Sequence, residues 1–209
     1  MERKNIVFLS SSYVNLAHLF ADKYKEYDIF LIADRKFPHE EMEMDNYYTY
    51  SFGNEKQFEK NKVKYFDSLA VYVEQFEPDF IITNNYTKLL PKSFIEFVKF
   101  RNKKTKIINL HHADLRKGNE FKGLNADIKE FLKTEEITTT LHLIEDEKMD
   151  EGKILDYTYP TTLKELKTKT LIHKKEDIIN LRLRNVILSY HERTKVLKHL
   201  YNVLKKNGN

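Results

Sequence analysis

The chain has 209 residues, and its 36 Lys and Arg side chains barely exceed its 32 Asp and Glu side chains, for a formal net charge of +4 at pH 7. The lysines are spread without a basic cluster, no apolar run approaches the ~18 residues that span a membrane, and the start "MERKNIVFLSSS" carries no secretory signal, so we expect neither nucleic-acid nor membrane partners. The absence of cysteine excludes disulfides, thiolate catalysis and cysteine-ligated zinc, and we expect a cytoplasmic protein.

Apolar runs and amphipathic stretches alternate in the first part of the chain. The run "NIVFLS" (Asn5 to Ser10) predicts a buried strand, and "NLAHLFADKYKEY" after it has the apolar spacing of a helix. "DIFLIAD" (Asp28 to Asp34) predicts a second strand, whereas the tyrosine-rich region 37–52 supports no assignment. "EKNKVKYFDSLAVYVEQFEP" predicts one helix that stops at Pro78.

The alternation continues through the rest of the chain. "DFIITN" predicts a third strand, "LLPKSFIEFVKFRNKK" a helix that begins near Pro91, and "TKIINLHH" a fourth strand. "NADIKEFLKT" predicts a helix, "TTTLHLIED" and "GKILDYTYP" predict strands, and the segment from about Ile172 to Lys206 predicts one or two helices. Because the strands are apolar on both faces, the pattern predicts an α/β fold: a Rossmann-like, mostly parallel sheet with helices on both faces.

The domain organisation follows from what the chain lacks. No internal repeat and no Pro-, Gly- or Ser-rich linker divides it. A length of 209 residues also lies within the usual range of one domain. We therefore expect a single domain over residues 1–209, with a core over about 1–160 and a C-terminal helical region over about 161–209.

The fourth strand ends in polar residues, which raises the question of a site. In open α/β sheets, ligands bind at the carboxyl ends of the strands. Asn109 and His111 are two residues apart, so on a strand both side chains point to the same side. An amide can donate to a developing oxyanion, and an imidazole can pass a proton near neutral pH. The pattern alone still favours strand-end residues that merely meet water.

Four blocks in fixed order add to this pattern. They are "NIVFLSSSYVNLAHLF", "EPDFIITNNYTKLLPKSFIEF", "IINLHHADLRKGNEFKGLNADIKEFL" and "TTTLHLIEDEKMDEGKIL". In this order they resemble four parts of the formyl-tetrahydrofolate-dependent formyltransferases. These parts are the first strand with its substrate loop, a strand followed by a loop and a helix that starts with proline, a strand that ends in Asn-x-His, and an acidic loop with Asp-x-Gly. The resemblance is to phosphoribosylglycinamide formyltransferases and the related sugar N-formyltransferases in particular, and it spreads over most of the chain.

The resemblance implies a catalytic trio at Asn109, His111 and Asp150. In such enzymes the substrate amine attacks the formyl carbon of formyl-tetrahydrofolate, and the tetrahedral oxyanion is held by the asparagine and the protonated histidine. Asp150 would orient His111, directly or through water, and help to remove the amine proton. Taken alone, an aspartate before Gly152 is equally a turn-forming loop residue.

Two departures from the family bear on the acceptor. The loop "SSSYVN" lacks the family's phosphate-wrapping glycines, and its Ser10, Ser11, Ser12 and Asn15 either bind an anion or cap a helix. Glycinamide ribonucleotide is thus disfavoured as the acceptor, and a nucleotide-linked amino sugar is favoured. His112 stands where relatives have proline and either contacts substrate or is a packed or exposed neighbour.

The formyl-tetrahydrofolate site is implied by position only. Six residues are implicated: Leu89, Leu90, Phe94, Ile144, Glu145 and Asp146. Because aliphatic residues fit any core and charge runs are usually solvated, folate binding could be lost with the fold retained. The enzymatic alternative is an N-acetyltransferase that uses acetyl-coenzyme A on the same amine.

A non-catalytic alternative concerns the C-terminal region. It is basic and amphipathic, so it covers its own core, forms a homodimer or docks on a further domain. If the trio lay far apart, the chain would be a degenerate binding module. The histidine spacing gives no zinc pattern, so we assign no metal. The expected function is an N-formyltransferase acting on a small-molecule primary amine.

Overall fold

A computed structural model describes residues 3–11, 15–34, 44–53 and 55–208, without the side chains of Asn15 and Glu55. By their contacts the residues form two compact units, one of Met1–Asn109 with Leu143–Lys148 and the other of Leu110–His142 with Met149–Asn209. The expectation of a single domain stays a prediction. In the part of the chain that is described, no helix is both long and apolar enough to cross a bilayer.

The first unit alternates strands and helices, as the sequence predicts. Its elements are β1 (Lys4–Ser10), α1 (Asn15–Lys23), β2 (Tyr27–Ala33), β3 (Tyr47–Ser51), α2 (Glu55–Lys60), α3 (Lys62–Glu74), β4 (Phe80–Asn84), α4 (Lys92–Arg101) and most of β5 (Lys106–His111). The strand β1 pairs in parallel with β2 and with β4, and β2 pairs in parallel with β3. The unassigned tyrosine-rich region thus contributes an edge strand, while residues 35–43 lie outside the described part.

Helices cover both faces of the first unit's sheet because its central strands are apolar on both sides. On one face, the ring of Phe8 lies 6.3 Å from that of Phe20 on α1. On the other, Val7 and Leu9 pack into a cluster with residues of α3 and α4. The members of that cluster from the two helices include Leu69, Val73, Phe94 and Val98.

The second unit carries the remaining elements. They are α5 (Ala126–Thr134), β6 (Glu136–Ile137), β7 (Thr140–Leu143), β8 (Ile154–Tyr157), β9 (Thr161–Thr162), α6 (Leu163–Lys169), α7 (Leu181–His191) and α8 (Leu197–Asn207). Short 3-10 turns cover Leu115–Lys117, Asn119–Phe121 and Lys175–Ile179, and a π-helical turn covers Glu192–Val196. The strands β7 and β8 are antiparallel, as are β6 and β9. The core of this unit contains Phe131, Ile137, Leu166 and Ile187.

The strands β5 and β7 each have residues in both units, and the sheet has the order β3-β2-β1-β4-β5-β7-β8. The predicted Rossmann-like, mostly parallel α/β fold is confirmed. One prediction differs in detail, because the helix expected over residues 59–78 begins at Lys62 and ends at Glu74, and a separate short helix, Glu55–Lys60, precedes it. The side chain of Asn61 accepts a hydrogen bond from Lys64 N and so caps α3.

Candidate active site

Asn109 lies on β5 in the first unit, half-buried. On the neighbouring strand β4, Thr83 donates its hydroxyl to Asn109 Oδ1 over 2.7 Å. Because Oδ1 is the acceptor in this contact, the orientation of the amide is defined and Nδ2 is left as its hydrogen-bond donor. A neighbouring strand thus orients the amide group that the sequence singled out.

His111, the last residue of β5, lies in the second unit and is buried. Its Nδ1 is 3.3 Å from Asp150 Oδ1, and its Nε2 is 2.6 Å from the carbonyl oxygen of Phe121. Both ring nitrogens therefore face oxygen acceptors. An imidazole with both N–H groups in place, the cationic form, is the one that donates to both. The predicted pairing of His111 with Asp150 is present in the geometry.

Asp150 is held from several sides. Its Oδ2 accepts a hydrogen bond from Gly123 N at 2.8 Å, and its Oδ1 also lies 3.4 Å from His142 Nε2. Burial by itself raises the pKa of this carboxyl, but the hydrogen bonds from His111, His142 and Gly123 outweigh it and hold the pKa far below its usual range. The backbone of Asp150 is left-handed, with φ of 57°, a region that Asp tolerates better than most residues. The carboxylate is therefore a fixed anion beside His111.

A second histidine, His142, contacts the same carboxylate and was not among the residues predicted from the sequence. This residue lies on β7 with its ring buried, 6.5 Å between centroids from the ring of His111. The available signal was a histidine between Leu141 and Leu143 in a strand that leads to Asp150. A histidine in an alternating strand is ordinarily a core or surface residue, so only the fold shows that it shares the carboxylate with His111.

The six residues implicated in folate binding all lie in the first unit. Leu90 and Phe94 are buried in one apolar cluster, against which Ile144 packs. Leu89 is 49% exposed and lies apart from that cluster. Glu145 and Asp146 are exposed, the former accepting a hydrogen bond from Lys99 through its carbonyl oxygen. The structure brings Leu90, Phe94 and Ile144 together and leaves Leu89, Glu145 and Asp146 at the surface.

The serine loop is described only in part. Ser10 and Ser11 are buried, whereas Ser12 and the side chain of Asn15 lie outside the described residues. Ser11 donates its hydroxyl to Asp34 Oδ2 over 2.8 Å and accepts a hydrogen bond from Thr87 N. The same carboxylate is paired with Lys88, and both side chains are almost fully buried. Ser11 is thus part of a buried polar cluster within the protein.

His112 is buried and directed into the protein. Its Nδ1 lies 2.8 Å from Thr139 Oγ1 and its Nε2 lies 3.6 Å from Glu192 Oε1. Of the alternatives that the sequence left open, the packed neighbour matches this geometry. Among the described residues, no group of three or more His, Asp or Glu side chains could hold a metal ion.

Comparisons with known proteins agree with this architecture. The family model described as formyl transferase matches residues 4–180. Phosphoribosylglycinamide formyltransferase from Streptococcus pneumoniae is 19% identical over 99% of both chains, with a TM-score of 0.67. The enzyme of that name from Brucella melitensis is 21% identical over 98% of this chain and 95% of its own, with a TM-score of 0.63.

A second kind of structure is also similar. Formyltetrahydrofolate deformylase from Burkholderia mallei is 17% identical over 77% of this chain and 55% of its own, with a TM-score of 0.56. A search of the curated proteins finds no match. At such identities the similarity to solved structures shows the fold.

Proposed function

Since the chain belongs to the formyl transferase family and is a transferase, we propose that it moves a formyl group from formyl-tetrahydrofolate to a primary amine. The observation that carries the proposal is the buried contact between His111 and Asp150. Their side chains are only 8% and 6% exposed, so the charge of each acts with little screening by water. Asn109 lies two residues before His111 on the same strand.

Formyl transfer needs hydrogen-bond donors where negative charge develops. The amine lone pair attacks the formyl carbon, and the C=O electron pair moves to the oxygen. In the proposal, the amide of Asn109 and the Nε2–H of His111 donate to that oxyanion. To do so, His111 Nε2 would give up its contact with the carbonyl oxygen of Phe121 and donate to the oxyanion instead. The Nδ1–H would stay on Asp150.

Collapse of the intermediate completes the transfer. The C=O bond re-forms, the bond from the formyl carbon to the folate nitrogen breaks, and His111 gives that nitrogen a proton. The amine then passes its proton, through water beside the Asp150 anion, to the imidazole of His111, which restores the imidazolium. The low pKa of Asp150 supports its role as the anion that orients and stabilises the imidazolium.

The acceptor in this proposal is a nucleotide-linked amino sugar, and the location is the cytoplasm. The glycine-free loop after β1 supports an acceptor other than glycinamide ribonucleotide. The buried position of Ser11, already bonded to Asp34, is in line with that change. Small molecules are then the expected partners.

Calorimetric titration with a non-transferring formyl-tetrahydrofolate analogue, run in parallel with acetyl-coenzyme A, tests the donor. We expect micromolar binding of the folate analogue alone. Binding of only acetyl-coenzyme A would replace formyl by acetyl transfer, and no binding of either would indicate a non-catalytic module.

Turnover of amino sugars in a formyl-release assay then tests the site. We expect Asp150→Asn to lower kcat by roughly a hundredfold or more, because the amide cannot hold the imidazolium in place. Glu151→Gln, a change in the exposed neighbouring acid, serves as the matched control. Equal rates for the two variants would remove Asp150 from the mechanism.

A further inference from the structure

We propose that Glu192, in the C-terminal helical segment, is a positioning residue for His111 that acts through His112. The inference rests on the proposed function, in which His111 carries the oxyanion contact. All three residues belong to the second unit.

The ring of His112 is fixed at both nitrogens. Thr139 Oγ1 lies 2.8 Å from Nδ1, and Glu192 Oε1 lies 3.6 Å from Nε2. His112 follows His111 directly, and the peptide plane between them leaves only two soft torsions from one Cα to the next. The carbonyl of that peptide also accepts a hydrogen bond from Ala113 N at 2.8 Å. A fixed ring at His112 therefore restricts the backbone that carries His111.

An irregular helical turn positions the side chain of Glu192 next to His112. It begins the π-helical turn Glu192–Val196, and its N–H bonds to both Leu188 O and Ser189 O. Such turns interrupt the α-helical register and are frequent at functional sites. The side chain of Glu192 is only 5% exposed, and an unpaired carboxylate at that depth is costly. His112 Nε2 lies within ion-pair distance of it, at 3.6 Å from Oε1.

A second histidine anchors the same arrangement. His191, fully buried, lies 3.1 Å through Nε2 from Thr139 Oγ1, the hydroxyl that also contacts His112. Its Nδ1 lies 2.8 Å from Thr161 Oγ1. The C-terminal segment is thereby connected to the end of β5 through two neighbouring residues, His191 and Glu192, so its position bears on the strand end.

The family comparison bears on His112 and Glu192 separately. The match to the family model ends at residue 180, so Glu192 lies beyond it. His112 stands at the position where the family resemblance leads one to expect proline, whose ring would restrict the backbone by itself. A contact between His112 and Glu192 supplies a restraint of the same kind through side chains.

The test separates positioning from simple stability. In Glu192→Leu we expect kcat for tetrahydrofolate release to fall about 10- to 100-fold, the loss that a misplaced catalytic group produces, with KM for formyl-tetrahydrofolate unchanged within about twofold. Glu192→Gln, which keeps the shape and an acceptor oxygen, should recover most of the rate. His112→Asn, which retains an amide near the Nδ1 position, should lose as much as Glu192→Leu, and the double variant no more than either.

The matched control is Asp127→Leu. Asp127 is a buried carboxylate on α5 whose partner, Arg184, lies on α7 at 2.6 Å, so this variant loosens the same C-terminal segment without touching His112. We expect it to lower the melting temperature while kcat at a fully folded temperature stays within about twofold. Equal losses of kcat in Asp127→Leu and Glu192→Leu would overturn the proposal.

A readout without turnover keeps this inference separate from the proposed function. The 15N chemical shifts of the His111 ring should change in Glu192→Leu and His112→Asn and not in Asp127→Leu. If wild type neither binds the folate analogue nor turns over, the formyl-transfer proposal fails while these shifts still decide the positioning. Unchanged His111 ring shifts and an unchanged kcat in both His112→Asn and Glu192→Leu would overturn it.

Discussion

At the scale of single residues, the second unit buries the carboxylate of Asp150 next to two histidines. Asp150 lies between two histidines, His111 and His142, and accepts a backbone hydrogen bond as well. Each contact favours the ionised carboxylate, which explains why burial does not neutralise it. In the proposed mechanism, this anion is the group that orients His111 and stabilises its imidazolium.

His191 allows a test by pH. Burial, and then the nearby His112, Lys195 and His199, lower the pKa of its imidazole well below 6.5. Below pH 6.5 the unfolded chain therefore takes up a proton that the folded chain does not, so the free energy of unfolding falls as the pH falls. The expected slope from this residue is about 1.4 kcal/mol per pH unit, from pH 6.5 down to the folded-state pKa.

Urea denaturation of wild type and His191→Asn between pH 7.5 and 5 measures that slope. The variant is less stable at neutral pH, because Thr161 and Thr139 lose their ring partner. As the pH falls, the free energy of unfolding of the variant should decrease less steeply than that of wild type, by about 1.4 kcal/mol per pH unit. Parallel curves for the two proteins would contradict the burial of a neutral imidazole at this position.

At the scale of elements, capping decides where α3 begins. Asn61 Oδ1 accepts the hydrogen bond of Lys64 N at 3.0 Å, and the helix continues to Glu74. Apolar spacing does not mark Asn61 as a boundary, so the sequence predicts a helix that starts at Glu59, whereas α2 ends at Lys60 and α3 begins at Lys62. A side-chain oxygen that competes for backbone donors ends one helix and starts the next.

The cap can be removed without disturbing the core. Asn61→Ala should lower the free energy of unfolding by about 1 kcal/mol, whereas Asn61→Ser, which retains a capping oxygen, should cost only a fraction of that. Denaturant unfolding of the two variants against wild type provides the measurement. A loss in Asn61→Ser as large as in Asn61→Ala would mean that packing, and not the cap, matters there.

At the scale of the whole molecule, the proposed donor site and the catalytic pair belong to different units. The residues implicated in folate binding lie in the first unit, and His111 and Asp150 lie in the second. Ligand binding to the folded state stabilises it by an amount set by concentration over Kd, about 2.7 kcal/mol at a hundredfold excess. Because the two sets of residues are different, a mutation of the catalytic pair should leave this ligand-induced stabilisation unchanged, and a mutation of the residues implicated in folate binding should reduce it.

Asp150→Asn makes this separation measurable. We expect the folate analogue to raise the melting temperature of this variant as much as that of wild type. Leu90→Ala, which opens the apolar cluster of the first unit, should reduce the ligand-induced shift. Thermal unfolding with and without the analogue distinguishes the two, and loss of the shift in Asp150→Asn alone would place donor recognition in the second unit.

The element order was predictable because each apolar run is buried on both faces. Strands β1, β2, β4 and β5 and helices α1, α4 and α5 occur where hydrophobic periodicity places them. The strand β3 was not predictable, since its residues are polar and half-exposed at the edge of the sheet. The π-helical turn was not predictable either, because its side chains follow an ordinary helical pattern and only packing shows the extra residue.

The site was predictable to a different extent for each residue. Strand alternation placed Asn109 and His111 on one side of a strand, and only the resemblance to the family implied a catalytic trio with Asp150. His142 and Glu192 had no distinguishing signal, because the residues that they contact lie far away in the chain. His112 shows why sequence spacing does not predict such contacts. It is adjacent to His111 in the sequence, but its ring contacts Thr139 and Glu192.

By itself the sequence determined the alternating architecture, the family and the residue types available for chemistry, since these depend on local periodicity and on motifs within a few residues. Only the tertiary structure decided which side chains meet. It paired His111 with Asp150, added His142 to the same carboxylate and joined His112 to Glu192. The physical reason is burial: a charged or polar side chain removed from water must find a partner, and the fold, not the sequence spacing, selects it.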